Sequence, residues 1–196
     1  MFLTKKIEKA IVRSAELHRK QNRKASGAPY IVHPFAVAFL LAHYVEDEDV
    51  ICAGLLHDVL EDVPSYGAEK MQEEFGENVY RIVTEVTEDQ NLKESWNPFS
   101  KTGHWKKRKT QYLENLKNDS PEGLMIAAAD KIHNIRSLVD GYESQGDEVW
   151  KFFRGKKEEI FWFYDSVLLI LREKLIHPLT DELEKTIADA KVRIDG

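Results

Sequence analysis

Three short stretches of this chain bring imidazoles and carboxylates together: Tyr30-Ile31-Val32-His33-Pro34, Leu56-His57-Asp58-Val59-Leu60-Glu61-Asp62 and Ala129-Asp130-Lys131-Ile132-His133-Asn134. On a helix, residues four apart share a face, so His57 pairs with Glu61 and Asp58 with Asp62. An imidazole and three carboxylates crowded on one side of an otherwise apolar helix are expensive unless something positive lies among them. A divalent cation is the simplest compensation. The remaining ligands must then come from elsewhere. His33, presented just before a helix start, and Asp130, at the end of an alanine run, are the best placed. Two imidazoles and two carboxylates suit Mn, Fe, Co or Zn better than Mg or Ca. Such an ion lowers the pKa of a bound water and polarises a phosphoryl oxygen.

Glu61 and Asp62 add negative charge beyond what a 2+ ion needs. Neighbouring carboxylates push one another's pKa upward, which suits them jointly to proton transfer. A phosphate substrate would need positive charge nearby. Arg23-Lys24, Lys131 and the run Lys106-Lys107-Arg108-Lys109 can supply it, and arginine suits bidentate contact with phosphate. Each feature also has a plainer reading: a solvated ion pair for Asp130 with Lys131 or Arg136, a solvated helix face for the basic run.

The 196 residues carry 28 Lys+Arg against 34 Asp+Glu, a net charge of −6, and the sequence pI is about 5.7. An acidic chain is a poor general binder of nucleic acid or of anionic membrane, so neither is an expected partner. With 42% hydrophobic residues and only 10 Gly and 6 Pro, the chain is neither collagenous nor disordered. The one cysteine, Cys52, offers no internal disulfide, suits a reducing compartment and is expected buried and inert. No stretch reaches membrane-span length and no secretory leader opens the chain, so a cytoplasmic location is expected.

Hydrophobic spacing is helical almost throughout. Leu3–Leu17 forms the first amphipathic segment. Pro34 opens a second helix, apolar nearly all round through Ala42 and therefore expected to sit centrally. Asp49 is placed to cap a third, Val50–Asp62, with Gly54 where a neighbour approaches and Pro64 as the stop. Helices follow at Ala68–Phe75, Val79–Val86, Trp105–Leu116, from Ser120-Pro121 through Leu138, at Ile160–Leu175, and after Pro178 to Ile194. Gln90–His104 shows no period and reads as a functional or mobile loop. The stripe Phe161-Trp162-Phe163-Tyr164 reads as core or as a surface for a partner, including a second copy of the chain. Hairpin signals are absent. The expected fold class is all-α, one domain over 1–196, with the motifs within about 5–140 and the helices of 141–196 packing on them.

The order His33…His57-Asp58…Asp130 resembles the HD-domain metal phosphohydrolases. The fuller set is sharper: Arg23-Lys24, Gly27-Ala28-Pro29-Tyr30-Ile31-Val32-His33-Pro34, His57-Asp58-Val59-Leu60-Glu61-Asp62, Phe75-Gly76, Val86-Thr87 and Ala129-Asp130-Lys131-Ile132-His133-Asn134. It resembles the RelA/SpoT hydrolase domain in its stand-alone form, the small alarmone hydrolases. The resemblance implies an HD-type helical bundle with one Mn²⁺ held by His33, His57, Asp58 and Asp130. It implies Glu61 and Asp62 as catalytic acids, and substrate contacts from Arg23, Lys24 and Asn134. The implied reaction removes the 3′-pyrophosphate of guanosine 3′,5′-bis(diphosphate). Alternatives in the same class are phosphohydrolysis of NADPH or another nucleotide. A non-catalytic nucleotide sensor is the alternative outside it. No synthetase domain is expected after about residue 140.

Overall fold

A computed structural model describes residues 3–88 and 101–195, with the backbone alone at 101–104. Thr4 caps the first helix, α1 (Lys5–His18), its side-chain oxygen accepting from Ile7 N at 3.2 Å; the helix buries Ile7, Ala10, Ser14 and His18 on one face. A tight loop follows. Its ends are tied by an Asn22–Pro29 bridge, and Gly27 turns it at φ 70°.

The second helix, α2 (Val32–Tyr44), begins two residues before Pro34, so His33 lies in its first turn. A proline is tolerated there because the first N–H groups have no helical partner. This helix is less central than its composition suggests: Phe39 is 65% exposed and Val32 50%. A helix apolar on every side carries no signal for which side is covered.

The centre belongs to α3 (Glu48–Leu56), buried at every residue from Val50 to Leu56. Asp47, and not Asp49, caps it, accepting from Asp49 N at 2.8 Å. A Cβ on Gly54 would overlap Leu41 Cδ1 and lie 3.6 Å from Val37 Cγ1, so the glycine sets how closely α2 and α3 approach. Cys52 is buried as expected, and burial pushes its thiol up to about 12. The expected single helix over 50–62 is two. The helical pattern lapses at His57-Asp58 and resumes as α4 (Val59–Asp62).

Next come α5 (Ala68–Phe75) and α6 (Glu77–Val86), joined by Gly76 at φ 88°, a conformation that favours glycine. Helix α7 spans Lys101–Leu116, starting four residues before Trp105, so the last part of the expected loop is helical; its remainder lies outside the described residues. The longest helix, α8 (Pro121–Gln145), starts at a Ser120 cap that accepts from Gly123 N at 3.2 Å and runs past Leu138 to Gly146. A 3-10 turn (Gly146–Phe152) leads to α9 (Lys157–Lys174) and α10 (Pro178–Asp195).

Helix α8 packs against α2, α3, α6, α9 and α10, forming with α3 the spine of the bundle. In the aromatic stripe, Phe161, Phe163 and Tyr164 are core residues, which removes them as a partner surface. No strand occurs among the described residues, where the chain is all-α, and no helix is long and apolar enough to cross a membrane.

Candidate metal centre

Where α2, α3 and α8 meet, side chains from three distant parts of the sequence converge. His33 Nε2 lies 3.2 Å from His57 Nε2, 3.4 Å from Asp58 Oδ2 and 3.1 Å from Asp130 Oδ1. His57 Nε2 is 3.2 Å from Asp58 Oδ2 and 3.9 Å from Asp130 Oδ1. The ligand atoms of His33, His57 and Asp58 all lie within 4.8 Å of one another, with Asp130 flanking them. Both imidazoles are buried.

His57 and Asp58 keep right-handed helical dihedrals where the hydrogen-bonded helical pattern lapses. Adjacent side chains on an ideal helix diverge by about 100°. At the lapse, where Asp58 takes φ −90° and ψ −7°, consecutive residues place Nε2 and Oδ2 side by side.

Each of these four groups has a further partner. His57 Nδ1 lies 2.8 Å from the Gly54 carbonyl, the last turn of its own helix. The Tyr30 hydroxyl donates to Asp58 Oδ2 at 2.6 Å. Asn134 Nδ2 donates to Asp130 Oδ1 at 2.6 Å, and Lys131 Nζ meets Asp130 Oδ2. His33 Nδ1 faces His133 Nδ1 at 2.7 Å.

The chemistry of the donor set fits a divalent cation. The Gly54 carbonyl can only accept, so it fixes the proton of a neutral His57 on Nδ1 and leaves Nε2 a bare lone pair. That lone pair points at another ring nitrogen and at carboxylate oxygens, an arrangement that repels unless a positive charge sits between them. The two carboxylates favour positive charge at this point, which a proton on the imidazole or a cation can supply. Burial opposes the imidazolium of His57, but Asp58 and Asp130 outweigh it and raise the group to about 9. Burial would raise Asp130; Lys131 and the two histidines overcome this and hold it well below the usual carboxylate range. Asp58 is held low by His57 and His33 against the same opposition. Burial, followed by His33 and Arg23, pushes His133 down to about 4.

These groups open onto a cavity of about 160 Å³. Its lining also carries Arg23, Lys109 and Lys131 together with Glu61 and Glu88. Lys109 reaches in from α7, pairing with Glu88 at 2.6 Å, while Arg108 Nε lies 2.9 Å from the same carboxylate. Lys109 Nζ sits 4.6 Å from the Phe163 ring centre and Lys131 Nζ 4.7 Å from that of Tyr112. A much larger groove, about 670 Å³ between α8 and α10, lies elsewhere and holds none of these residues.

Of the other sequence-derived candidates, Arg23, Glu61 and Asn134 line the cavity. Arg23 Nη2 donates to Asn134 Oδ1 at 3.0 Å, and Glu61 Oε2 accepts from Glu88 N at 3.4 Å. Asp62 and Lys24 are not among the lining residues. Lys24 is exposed, and the Asp62 carbonyl accepts from Gln21 Nε2 at 3.2 Å. The structure adds Tyr30, Glu88, Lys109 and Tyr112 to the lining. In the sequence Tyr30 carries no chemical signature of its own, and nothing singles out Lys109 within its run of four basic residues.

The sequence pattern of the HD domain matches residues 10–159. The chain is 36% identical over 128 residues to the mouse guanosine-3′,5′-bis(diphosphate) 3′-pyrophosphohydrolase MESH1, covering 64% of this chain and 65% of that one. That is slightly under two thirds of the mouse protein's length. The Xenopus tropicalis protein of the same name is 32% identical over 176 residues, covering 86% of this chain and 90% of its own. A solved structure described as a metazoan ortholog of SpoT that hydrolyses ppGpp superposes with a TM-score of 0.76 at 27% identity, covering 96% of this chain and 97% of that one.

Proposed function

Because the chain belongs to the HD domain family, we propose that it is a metal-dependent phosphohydrolase that removes the 3′-pyrophosphate of guanosine 3′,5′-bis(diphosphate). Water adds to the phosphorus bonded to the ribose 3′-oxygen and the P–O3′ bond breaks, giving GDP and pyrophosphate. The observation that carries this reading is the convergence of His33, His57, Asp58 and Asp130 on one cavity that Arg23, Lys109 and Lys131 also line. The relatives named for this activity support it.

In this reading those four residues hold one divalent ion, Mn²⁺. When bound, the ion lowers the pKa of a water and draws electron density from a phosphoryl oxygen. The chain's own residues do the rest. Glu61, at the cavity wall, and Asp62 behind it serve jointly as the acid–base pair that moves a proton from the attacking water to the departing 3′-oxygen. Asp62 acts from one step back: burial first, then Asp58 and Asp62, raise the Tyr30 hydroxyl and keep it a donor to Asp58. Arg23 meets the substrate phosphates in the cavity that Lys109 and Lys131 also line, Asn134 accepts from Arg23 while holding Asp130, and Lys24, exposed and outside that lining, is a further substrate contact. Residues 1–196 act as one hydrolase domain, with the segment after 140 packed on the part that bears the motifs. The setting is cytoplasmic, which suits a free buried thiol at Cys52.

The test is to incubate purified protein with Mn²⁺ and guanosine 3′,5′-bis(diphosphate) and to separate the products by chromatography. GDP and pyrophosphate in equal amounts are expected. Unchanged substrate from metal-loaded protein rejects the substrate assignment, and a parallel panel containing NADPH and nucleoside monophosphates shows whether another phosphate ester is cleaved instead.

A further inference from the structure

The contact between His33 and His133 joins two like nitrogens. A hydrogen bond between Nδ1 and Nδ1 at 2.7 Å requires one of them to carry the proton and the other to be bare. Two arrangements satisfy it. If His133 donates, a neutral His33 carries its own proton on Nε2, directed at Asp130 Oδ1, 3.1 Å away. If His33 donates, its Nε2 is a lone pair facing His57 and the two carboxylates, and His133 carries its proton on Nε2.

We infer that His133 is a positioning residue for the metal centre: its bare Nδ1 accepts from His33 Nδ1 and thereby keeps His33 Nε2 open for the cation. This rests on the metal reading above. The geometry favours it on two further counts. His57 already shows the same device, with the Gly54 carbonyl behind Nδ1 at 2.8 Å, and His33 has His133 in the equivalent place. The rings of His33 and His133 are also seated against each other, with centres 4.9 Å apart and planes 36° apart, so His133 limits rotation of the ligand ring as well as its protonation. His133 is three residues after Asp130 on α8, so one helix supplies a carboxylate to the centre and the group behind an imidazole. Partners of this kind are worth about 10- to 100-fold in metal affinity.

Two variants separate acceptance from bulk. His133→Phe keeps a ring but has no acceptor. In His133→Asn the amide oxygen stands where Nδ1 stood. Mn²⁺ is titrated into metal-stripped protein by calorimetry, with circular dichroism to show that each variant is folded. The expected result is a Kd weakened by about 10-fold or more in His133→Phe and restored to within about 3-fold of wild type in His133→Asn. Wild-type affinity in folded His133→Phe overturns the inference, as does a folded His133→Asn that binds as weakly as His133→Phe. A wild-type protein that takes up no Mn²⁺, Zn²⁺ or Co²⁺ overturns the metal reading itself and is distinguished by that arm alone.

Discussion

Helices α3 and α8 both feed the candidate centre, but they do so in opposite ways. Helix α8 runs unbroken from Pro121 to Gln145. Its site residues obey helical spacing: Asp130 faces the centre, His133 and Asn134 return to that side one turn later, and Lys131 pairs with Asp130 while lying against Tyr112. Helix α3 stops at Leu56, and the chain delivers two consecutive residues to one point before α4 begins. A continuous helix supplies a ligand together with its supports. The end of a helix sets two consecutive side chains next to each other. The first arrangement is robust; the second depends on what anchors the broken end.

The largest effect should come from breaking the α3 side. His57→Ala removes a ligand and leaves Asp58 and Asp130 as buried carboxylates with less to balance them. Metal binding measured by calorimetry and turnover of guanosine 3′,5′-bis(diphosphate) should both fall by more than the roughly 100-fold limit of a supporting residue. Full occupancy at wild-type rate would reject the assignment.

Chelation tests whether both helices share an ion. A ligand bound only by the folded state stabilises it by about 2.7 kcal/mol at 100 times its Kd. The Tm of the loaded protein should therefore drop several degrees on adding EDTA, and superimposable melting curves would argue against a tight site.

Gly54→Ala tests the anchor of the broken end. The added methyl overlaps Leu41, and overpacking of a close-fitting core costs about 1–3 kcal/mol. A lowered Tm and a weaker Mn²⁺ Kd should appear together, because the Gly54 carbonyl also holds His57. A lowered Tm with unchanged affinity would show that packing and ligand orientation are separable.

The smallest effect concerns the start of α8. Burial, then Glu85, pushes Asp119 up to about 7. A carboxyl raised from an ordinary value of 3.8 binds its proton more tightly in the folded state, so stability is lost as pH rises from about 4 to about 7 and stays lower above that. Asp119→Asn should match wild type near pH 4 and exceed it near pH 8, by about 1 kcal/mol after allowance for partial solvent exposure. Denaturant melts at the two pH values give the difference, and a stability gap that does not widen with pH would dismiss it.

The same contrast explains what was legible in the sequence. Helical spacing with short polar caps is local, so the all-helical fold and most helix ranges could be read directly. The cap at Asp47 in place of Asp49 differs only by which carboxylate reaches a free N–H. The lapse at His57-Asp58 has no glycine or proline to mark it in the sequence. The coverage of α2 was hidden for another reason: every face is apolar, and only the tertiary neighbours decide that Phe39 is left outside. At the centre, the residue types of His33, His57, Asp58 and Asp130 were informative because buried mixed charge is rare. Tyr30 and Lys109 were not, since a tyrosine in a loop and a lysine in a basic run look the same whether they face a cavity or water.

Gly54 ties the seam between two helices to the aim of an imidazole. Its bare α-carbon sets the spacing of α2 and α3, and its carbonyl sets the ring of His57. Any slackening of that seam by heat, pressure or a distant substitution therefore detunes the chemistry while the helices themselves still stand. Such a protein would fail as a catalyst at temperatures where its circular dichroism still reports an intact bundle.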